Sequence, residues 1–308
     1  MTACDLTFCG EATEYSGFHQ LNFNHIMKLQ HFIAVLLGMV IPPFSWAQGP
    51  TPSPVVEVYS HTKGTPGVDL KWGVYEPATP GPWPAVIVIH AGAFKSGSRN
   101  DDEVVLCAHD LAEAGFIAFA ISHRLAPPGQ IEGQKASLDY GRYPEQYEDV
   151  AAAAHAARTD SRCNGWVGAV GGSSGGSHAA YVAATGIPGD TRFDAAVCLS
   201  ANYDFPDFTG DVTGEVRHGV SNYVGTFNPR RLLKASPILV VDATIPPLFL
   251  MNSTDEFMPL PQLQDMTDRL TSLGVINFQT RTLDGTLHAF DYWSQIKDDA
   301  IAFLNANQ

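Results

Sequence analysis

Two serines stand inside a run of glycines, Gly171-Gly172-Ser173-Ser174-Gly175-Gly176, and the spacing G-x-S-x-G fits this run in two registers. One register centres on Ser173 and the other on Ser174. A serine in such a pentapeptide, set between a strand and a helix, is held in a sharp, exposed turn as a nucleophile. The glycines allow backbone angles and close chain approach that a Cβ would obstruct. Ser173 is preferred because it lies nearer the end of the apolar run 166–170, which leaves Ser174 to offer its backbone N–H. The helix-compatible stretch 177–184 then points its first amides back at the serine, where negative charge would develop.

A serine hydroxyl is a weak nucleophile and needs a general base held in place by a third group. When the serine sits on a strand-to-helix elbow, the partners follow in the order acid, then histidine. The apolar run 247–251 leads into Asn252-Ser253-Thr254-Asp255, which sets Asp255 at the same sheet edge as Ser173. After the last strand, Leu283-Asp284-Gly285-Thr286-Leu287-His288-Ala289-Phe290 is a loop carrying His288. His288 would take the Ser173 proton, and Asp255 would orient the imidazole and stabilise its charged form. Two rival carboxylates lie close by: Glu256 adjoins Asp255, and Asp284 shares the histidine's loop. Asp255 is preferred for its strand-end position and for the helix that begins soon after it, at Pro259-Leu260. His123, His155 and His178 read as structural, because only His288 follows the last strand. Donors for an oxyanion are expected from His90-Ala91-Gly92-Ala93-Phe94, with the amides of Gly92 and Ala93 joining that of Ser174.

These residues need a scaffold that brings strand ends together. The run Ala85-Val86-Ile87-Val88-Ile89 is apolar throughout, as expected for a central strand covered on both faces. Residues 55–60 and 68–75 alternate as antiparallel strands do. From there strands at 116–121, 166–170, 193–199, 247–251 and 275–282 interleave with helices at 101–114, 143–158, 177–184, 260–273 and 293–305. This alternation predicts an α/β domain with a mostly parallel sheet and helices on both faces. Two stretches break it: 127–142 and 205–234 are long, polar or mixed, and rich in turn residues. Both follow core strands, where such sheets place their sites. Neither reads as a lid with a sustained apolar face. Their aromatics, Tyr140, Tyr143, Tyr203, Phe205, Phe208 and Tyr223, suit either a small cap core or contact with a ring of the substrate.

The chain of 308 residues carries a formal net charge of -14, which argues against nucleic acid and anionic membrane surfaces as partners. Met27-Lys28, the apolar run 32–40 and Ser45-Trp46-Ala47 have the order of a secretion leader, so a secreted or periplasmic protein is expected. The apolar run is too short to span a membrane comfortably, and Pro42-Pro43 ends it. Residues 1–26 carry no readable pattern and translation could begin at Met27. Residues 48–54 are a Pro-rich lead-in, and 55–308 read as a single catalytic domain. Beyond the leader stand Cys107, Cys163 and Cys198, an odd number that allows one disulfide and implies none. No cysteine or histidine spacing suggests zinc, and the chemistry outlined above calls for no cofactor.

The same residues carry a family resemblance. The chain resembles α/β-hydrolases of the carboxylesterase type, close to the hormone-sensitive-lipase-like and the feruloyl- or acetyl-esterase-like branches. The similarity rests on His90-Ala91-Gly92-Ala93-Phe94, Ser122-His123-Arg124-Leu125-Ala126-Pro127 and Tyr143-Pro144-Glu145-Gln146-Tyr147-Glu148-Asp149-Val150. The elbow, Ala235-Ser236-Pro237, Asp255 and His288-Ala289-Phe290 complete it, over roughly residues 68–305. It departs from the family in two alanines where the HGGG oxyanion loop has glycine, and in the insertion 128–142. The resemblance implies a serine esterase acting through an acyl-enzyme on short-chain carboxylic esters, with acetyl or feruloyl groups on plant polysaccharide as the expected substrates. A peptidase or lipase on the same fold, or a hydrolase-fold protein that only binds, are the alternative expectations.

Overall fold

The structure is a computed structural model that describes residues 54–62, 67–127 and 140–308. The expected leader at 27–47 and nearly all of the lead-in 48–54 lie outside the described residues, as does most of the insertion 128–142. Eight strands form one sheet: β1 (Val55–His61), β2 (Asp69–Tyr75), β3 (Trp83–Ile89), β4 (Ile117–Ile121), β5 (Cys163–Gly172), β6 (Ala195–Leu199), β7 (Leu248–Ser253) and β8 (Phe278–Leu283). Their order is β1-β2-β4-β3-β5-β6-β7-β8. β1 and β2 pair antiparallel, β2 meets β4 antiparallel, and every later pairing is parallel. This is the α/β-hydrolase arrangement.

The apolar run of β3 explains its central place. Ala85, Ile87 and Ile89 enter one core layer, whereas Val86 and Val88 enter the layer on the opposite face. Burying each of these isoleucines contributes about 1.5–3 kcal/mol. The first layer is closed by α2 (Glu145–Thr159), α3 (Ser174–Thr185) and α7 (Pro261–Ser272), through Val150, Ala153, Ala179, Ala183, Leu263 and Met266. The second is closed by α1 (Asp102–Glu113) and α8 (Trp293–Ala306), through Val104, Leu111, Ile296 and Phe303.

The segment 205–234 is more ordered than its composition predicts. It contains α4 (Glu215–Val224) and α5 (Pro229–Ala235), followed directly by the short α6 (Pro237–Val240). Gly214 and Gly225, both left-handed, bracket α4. Its buried residues Val216, Val220, Tyr223 and Val224 recur at helical spacing, so this helix does carry a short apolar face. Phe205, Val220, Tyr223 and Leu232 pack with Phe94 and Tyr147 as a small third core. Tyr203, Phe205 and Tyr223 are fully buried, Tyr203 in the first core layer and the other two in this small core, so they leave no ring surface for a substrate.

Candidate active site

The end of β5 and the start of α3 place Ser173. It stands at φ 54° and ψ -120°, a strained conformation for a residue with a Cβ. Ser174 is already helical. Neighbouring chain passes so close that added Cβ atoms would meet backbone. At Gly171 one would lie 2.2 Å from the Gly175 oxygen, and at Gly175 another would lie 2.3 Å from the Ile89 oxygen. These are the two framing glycines of the register centred on Ser173. The Ser173 amide donates to the Leu199 carbonyl (2.7 Å), and Ser177 donates to the Ser173 carbonyl from its amide at 3.0 Å. Ser173 is therefore fixed between β6 and the first turn of α3.

His288 lies after β8, just ahead of a 3-10 turn (Ala289–Tyr292). Its Nδ1 is hydrogen-bonded to Oε2 of Glu256. Its Nε2 is buried and has no protein partner among the described residues. The ring packs against Phe257, with centroids 4.1 Å apart.

The carboxylate beside His288 is thus Glu256, and the expectation of Asp255 is corrected. Asp255 is exposed; its side chain accepts from Thr254 Oγ1 (2.8 Å), and its amide donates to the Gly285 carbonyl (3.0 Å). Glu256 has a side chain with no exposure at all. Its Oε1 accepts from Ser200 Oγ (2.7 Å) and from the Ser253 amide (2.8 Å), leaving Oε2 for the histidine. The turn after β7 sends neighbouring side chains in different directions, and the longer glutamate reaches inward from one position further on. The other rival, Asp284, has no bond to His288 among the described residues; its carbonyl accepts from the Tyr292 hydroxyl at 3.5 Å.

Sequence reasoning also missed Ser200. It sits at φ 48° just past β6, donates to Glu256 and accepts from the Ala289 amide (2.9 Å), so it ties the acid to the histidine's loop. Ser253 Oγ makes a second tie by donating to the Leu287 carbonyl (3.0 Å). Nothing in the local sequence marks either serine, because both ties span from 34 to 89 residues.

Of the expected oxyanion donors, Ala93 and Ser174 line a cavity of about 420 Å³ together with Ser173. The Ser174 amide is the first of α3. Gly92 does not line the cavity; at φ 129° it makes the turn, and its carbonyl accepts from the Lys95 and Ser96 amides, each at 3.0 Å. Ala93 and Phe94 both hold left-handed conformations, φ 50° and 65°, which cost roughly 1–2 kcal/mol per residue. Packing offsets this cost. The Phe94 ring stacks on Tyr223 (4.4 Å, 3°), and its carbonyl accepts from the Ala126 amide (2.8 Å) and Gln146 Nε2 (2.9 Å). The loop thus keeps Ala93 at the cavity wall, with Phe94 as its anchor.

The motifs around residues 122–127 and 143–150 support this loop. Gln146 is fully buried and joins Phe94 to His178 Nε2 through its Oε1 (2.9 Å). Arg124 forms a buried ion pair with Asp149, Nη2 to Oδ1 at 2.6 Å, holding α2 to the end of β4. His90 and His123 stack at 4.4 Å, and His178 meets His123 edge-on at 4.9 Å. Burial lowers all three: His178 falls to about 3, and His123 lies well below the usual imidazole range. They are neutral structural groups. His155 is exposed and paired with Asp190, away from the site. Cys107, Cys163 and Cys198 are free thiols, and burial pushes Cys198 up to about 12.

The chain is similar to several known proteins. A protein described as "Probable carboxylic ester hydrolase LipM", from Mycobacterium tuberculosis, is 27% identical over 234 residues. The match takes in 68% of this chain, and the chain spans about half (49%) of that relative's length. Among solved structures, a truncated carbohydrate esterase from gut microbiota superposes with a TM-score of 0.66 at 18% identity, covering 84% of this chain and 98% of its own. Esterase 2 of Thermogutta terrifontis superposes with a TM-score of 0.62 at 20% identity, covering 83% and 91%, and one of its structures is described as phosphorylated by paraoxon. The BD-FAE family model matches residues 73–270, from β2 to α7. This stretch is more than half of the chain and holds the Ser173 elbow, the loop 90–94 and Glu256, so the protein belongs to the BD-FAE family.

Proposed function

We propose that this protein is a serine ester hydrolase acting on short-chain carboxylic esters through Ser173, His288 and Glu256. One observation carries the reading: His288 is oriented at Nδ1 by a fully buried glutamate and leaves Nε2 unpartnered, in a fold that presents Ser173 on a strained elbow. Ser173 Oγ attacks the ester carbonyl as His288 Nε2 takes its proton. The amides of Ala93 and Ser174 stabilise the oxyanion, aided by the N-terminal dipole of α3. The proton then passes from His288 to the leaving alcohol, giving an acyl-enzyme. Water attacks that acyl group by the same route in reverse roles and releases the acid.

The cavity supports a small acyl group and a polar alcohol. Val216, Val220 and Met258 supply apolar wall, while Lys95, Thr213, Glu215 and His218 supply polar groups. Acetyl or feruloyl esters borne on polysaccharide fit this lining, and the related fold described as a carbohydrate esterase points the same way. Secretion through the leader at 27–47 is part of the proposal. The test is kcat/KM on p-nitrophenyl acetate, butyrate, octanoate and palmitate, with paraoxon labelling and peptide mapping. Activity should be highest on the short esters, with the adduct on Ser173. A rise toward palmitate would make this a lipase, and absence of both turnover and adduct would leave a protein that only binds.

A further inference from the structure

Asn202 is an anomaly in the wall of the cavity. Its side chain is 1% exposed, and neither Nδ2 nor Oδ1 has a hydrogen-bond partner among the described residues. A buried, unmade amide hydrogen bond is costly, and interiors rarely tolerate one without a reason. Other buried polar side chains lack partners here, but among the described residues only Asn202 combines that state with a place in the cavity that holds Ser173. Its backbone is pinned to the nucleophile's helix: the Asn202 amide donates to Ser177 Oγ (3.1 Å), and Ser177 Oγ donates to the Ser173 carbonyl (3.4 Å). Ser200, two residues earlier, is pinned to Glu256. The free carboxamide is therefore held at a fixed offset from the reacting serine.

We propose that Asn202 is a specificity residue that binds a hydroxyl on the alcohol part of the ester, next to the acylated oxygen. The proposal deepens the ester-hydrolase reading and rests on it. A carboxamide offers one donor side and one acceptor side, and a hydroxyl matches both: it accepts from Nδ2 and donates to Oδ1. A short acyl group cannot reach across a cavity of about 420 Å³, so most of that volume falls to the alcohol. The substrate class is then the partial ester of a vicinal diol, as on a sugar ring, in preference to the ester of a simple alcohol. A site with a buried polar group made for a hydroxyl discriminates strongly against the analogue that lacks it, because the protein group is then left unpaired.

The test compares trans-2-hydroxycyclohexyl acetate with cyclohexyl acetate, which differ only in the neighbouring hydroxyl. The wild type should prefer the hydroxy ester by at least about tenfold in kcat/KM, on the order expected for one well-made neutral pair. Asn202→Leu replaces the amide with an apolar group of similar size and should bring the ratio to within about twofold. Asn202→Ala removes the amide without filling the space and should give the same collapse, and it carries the test if the leucine variant does not fold. Asn202→Ser restores a donor and acceptor and should recover part of the preference. A ratio near one in the wild type, or a preference that survives in the variants, would overturn the proposal. If p-nitrophenyl acetate is hydrolysed in that case, only the role of Asn202 falls. If no ester is hydrolysed, the ester-hydrolase reading falls first.

Discussion

Replacing Glu256 by glutamine keeps the shape of the buried acid and changes what His288 can do. Oε1 of Glu256 accepts from two donors, Ser200 Oγ and the Ser253 amide. In Glu256→Gln the carbonyl oxygen must remain there, because an NH2 group cannot face two donors. The NH2 then faces His288 Nδ1, which must accept, and the imidazole proton moves to Nε2. That is the wrong tautomer for a general base, since Nε2 can no longer take the Ser173 proton. A tautomer error of this kind lowers kcat by roughly 10⁴, about 5.5 kcal/mol of transition-state stabilisation. Asp255→Asn, one residue away, touches only an exposed hydrogen bond from Thr254 and should stay within about threefold of wild type. The assay is kcat and kcat/KM on p-nitrophenyl acetate for both variants, with Tm to show that each is folded. A glutamine variant within tenfold of wild type, or an asparagine variant as impaired as the glutamine one, would refute the assignment of the acid.

Other outcomes follow from the same geometry. Ser174→Ala should keep activity within about threefold, because Ser174 contributes its amide, whereas Ser173→Ala should lose roughly 10⁴ or more in kcat; kinetics on p-nitrophenyl acetate separate the two. Gly175→Ala forces a Cβ to within 2.3 Å of the Ile89 carbonyl, so thermal unfolding should show a loss of roughly 1–3 kcal/mol together with a fall in turnover. Stability should drop as pH falls from 7 toward 5, since His123 and His178 are held neutral when folded and take up protons only on unfolding. Their folded values lie below the unfolded one near 6.5, so their contribution is present above that value and is lost progressively beneath it, by about 2 kcal/mol at pH 5 for His178 alone. Asp204, raised to about 6 by burial, works in the opposite sense and offsets part of this loss. Denaturant unfolding between pH 7 and 5 measures the sum, and a stability that is flat or rising toward pH 5 would contradict it.

Local pattern settled much of this protein. The continuous apolar run at 85–89 can only be a strand covered on both faces, and the glycines about Ser173 mark a turn where backbone meets backbone. The order of the Ser173 elbow, the turn after β7 and the loop carrying His288 also reads directly along the chain, because each follows a strand. What pattern could not decide was direction in space. Asp255 and Glu256 are adjacent carboxylates; position along the chain favoured Asp255, and only the turn after β7 shows that Glu256 is the one buried against His288. Ser200 and Asn202 were invisible for the same reason: they acquire meaning from groups up to 89 residues away, or from a side chain with no hydrogen-bond partner among the described residues. The segment 205–234 misled through its polarity, since its few apolar residues find their partners in Phe94 and Tyr147, on other parts of the chain. Side-chain type and spacing are local properties of a chain, whereas the partner of a buried polar group is chosen by packing, and packing belongs to the tertiary structure alone.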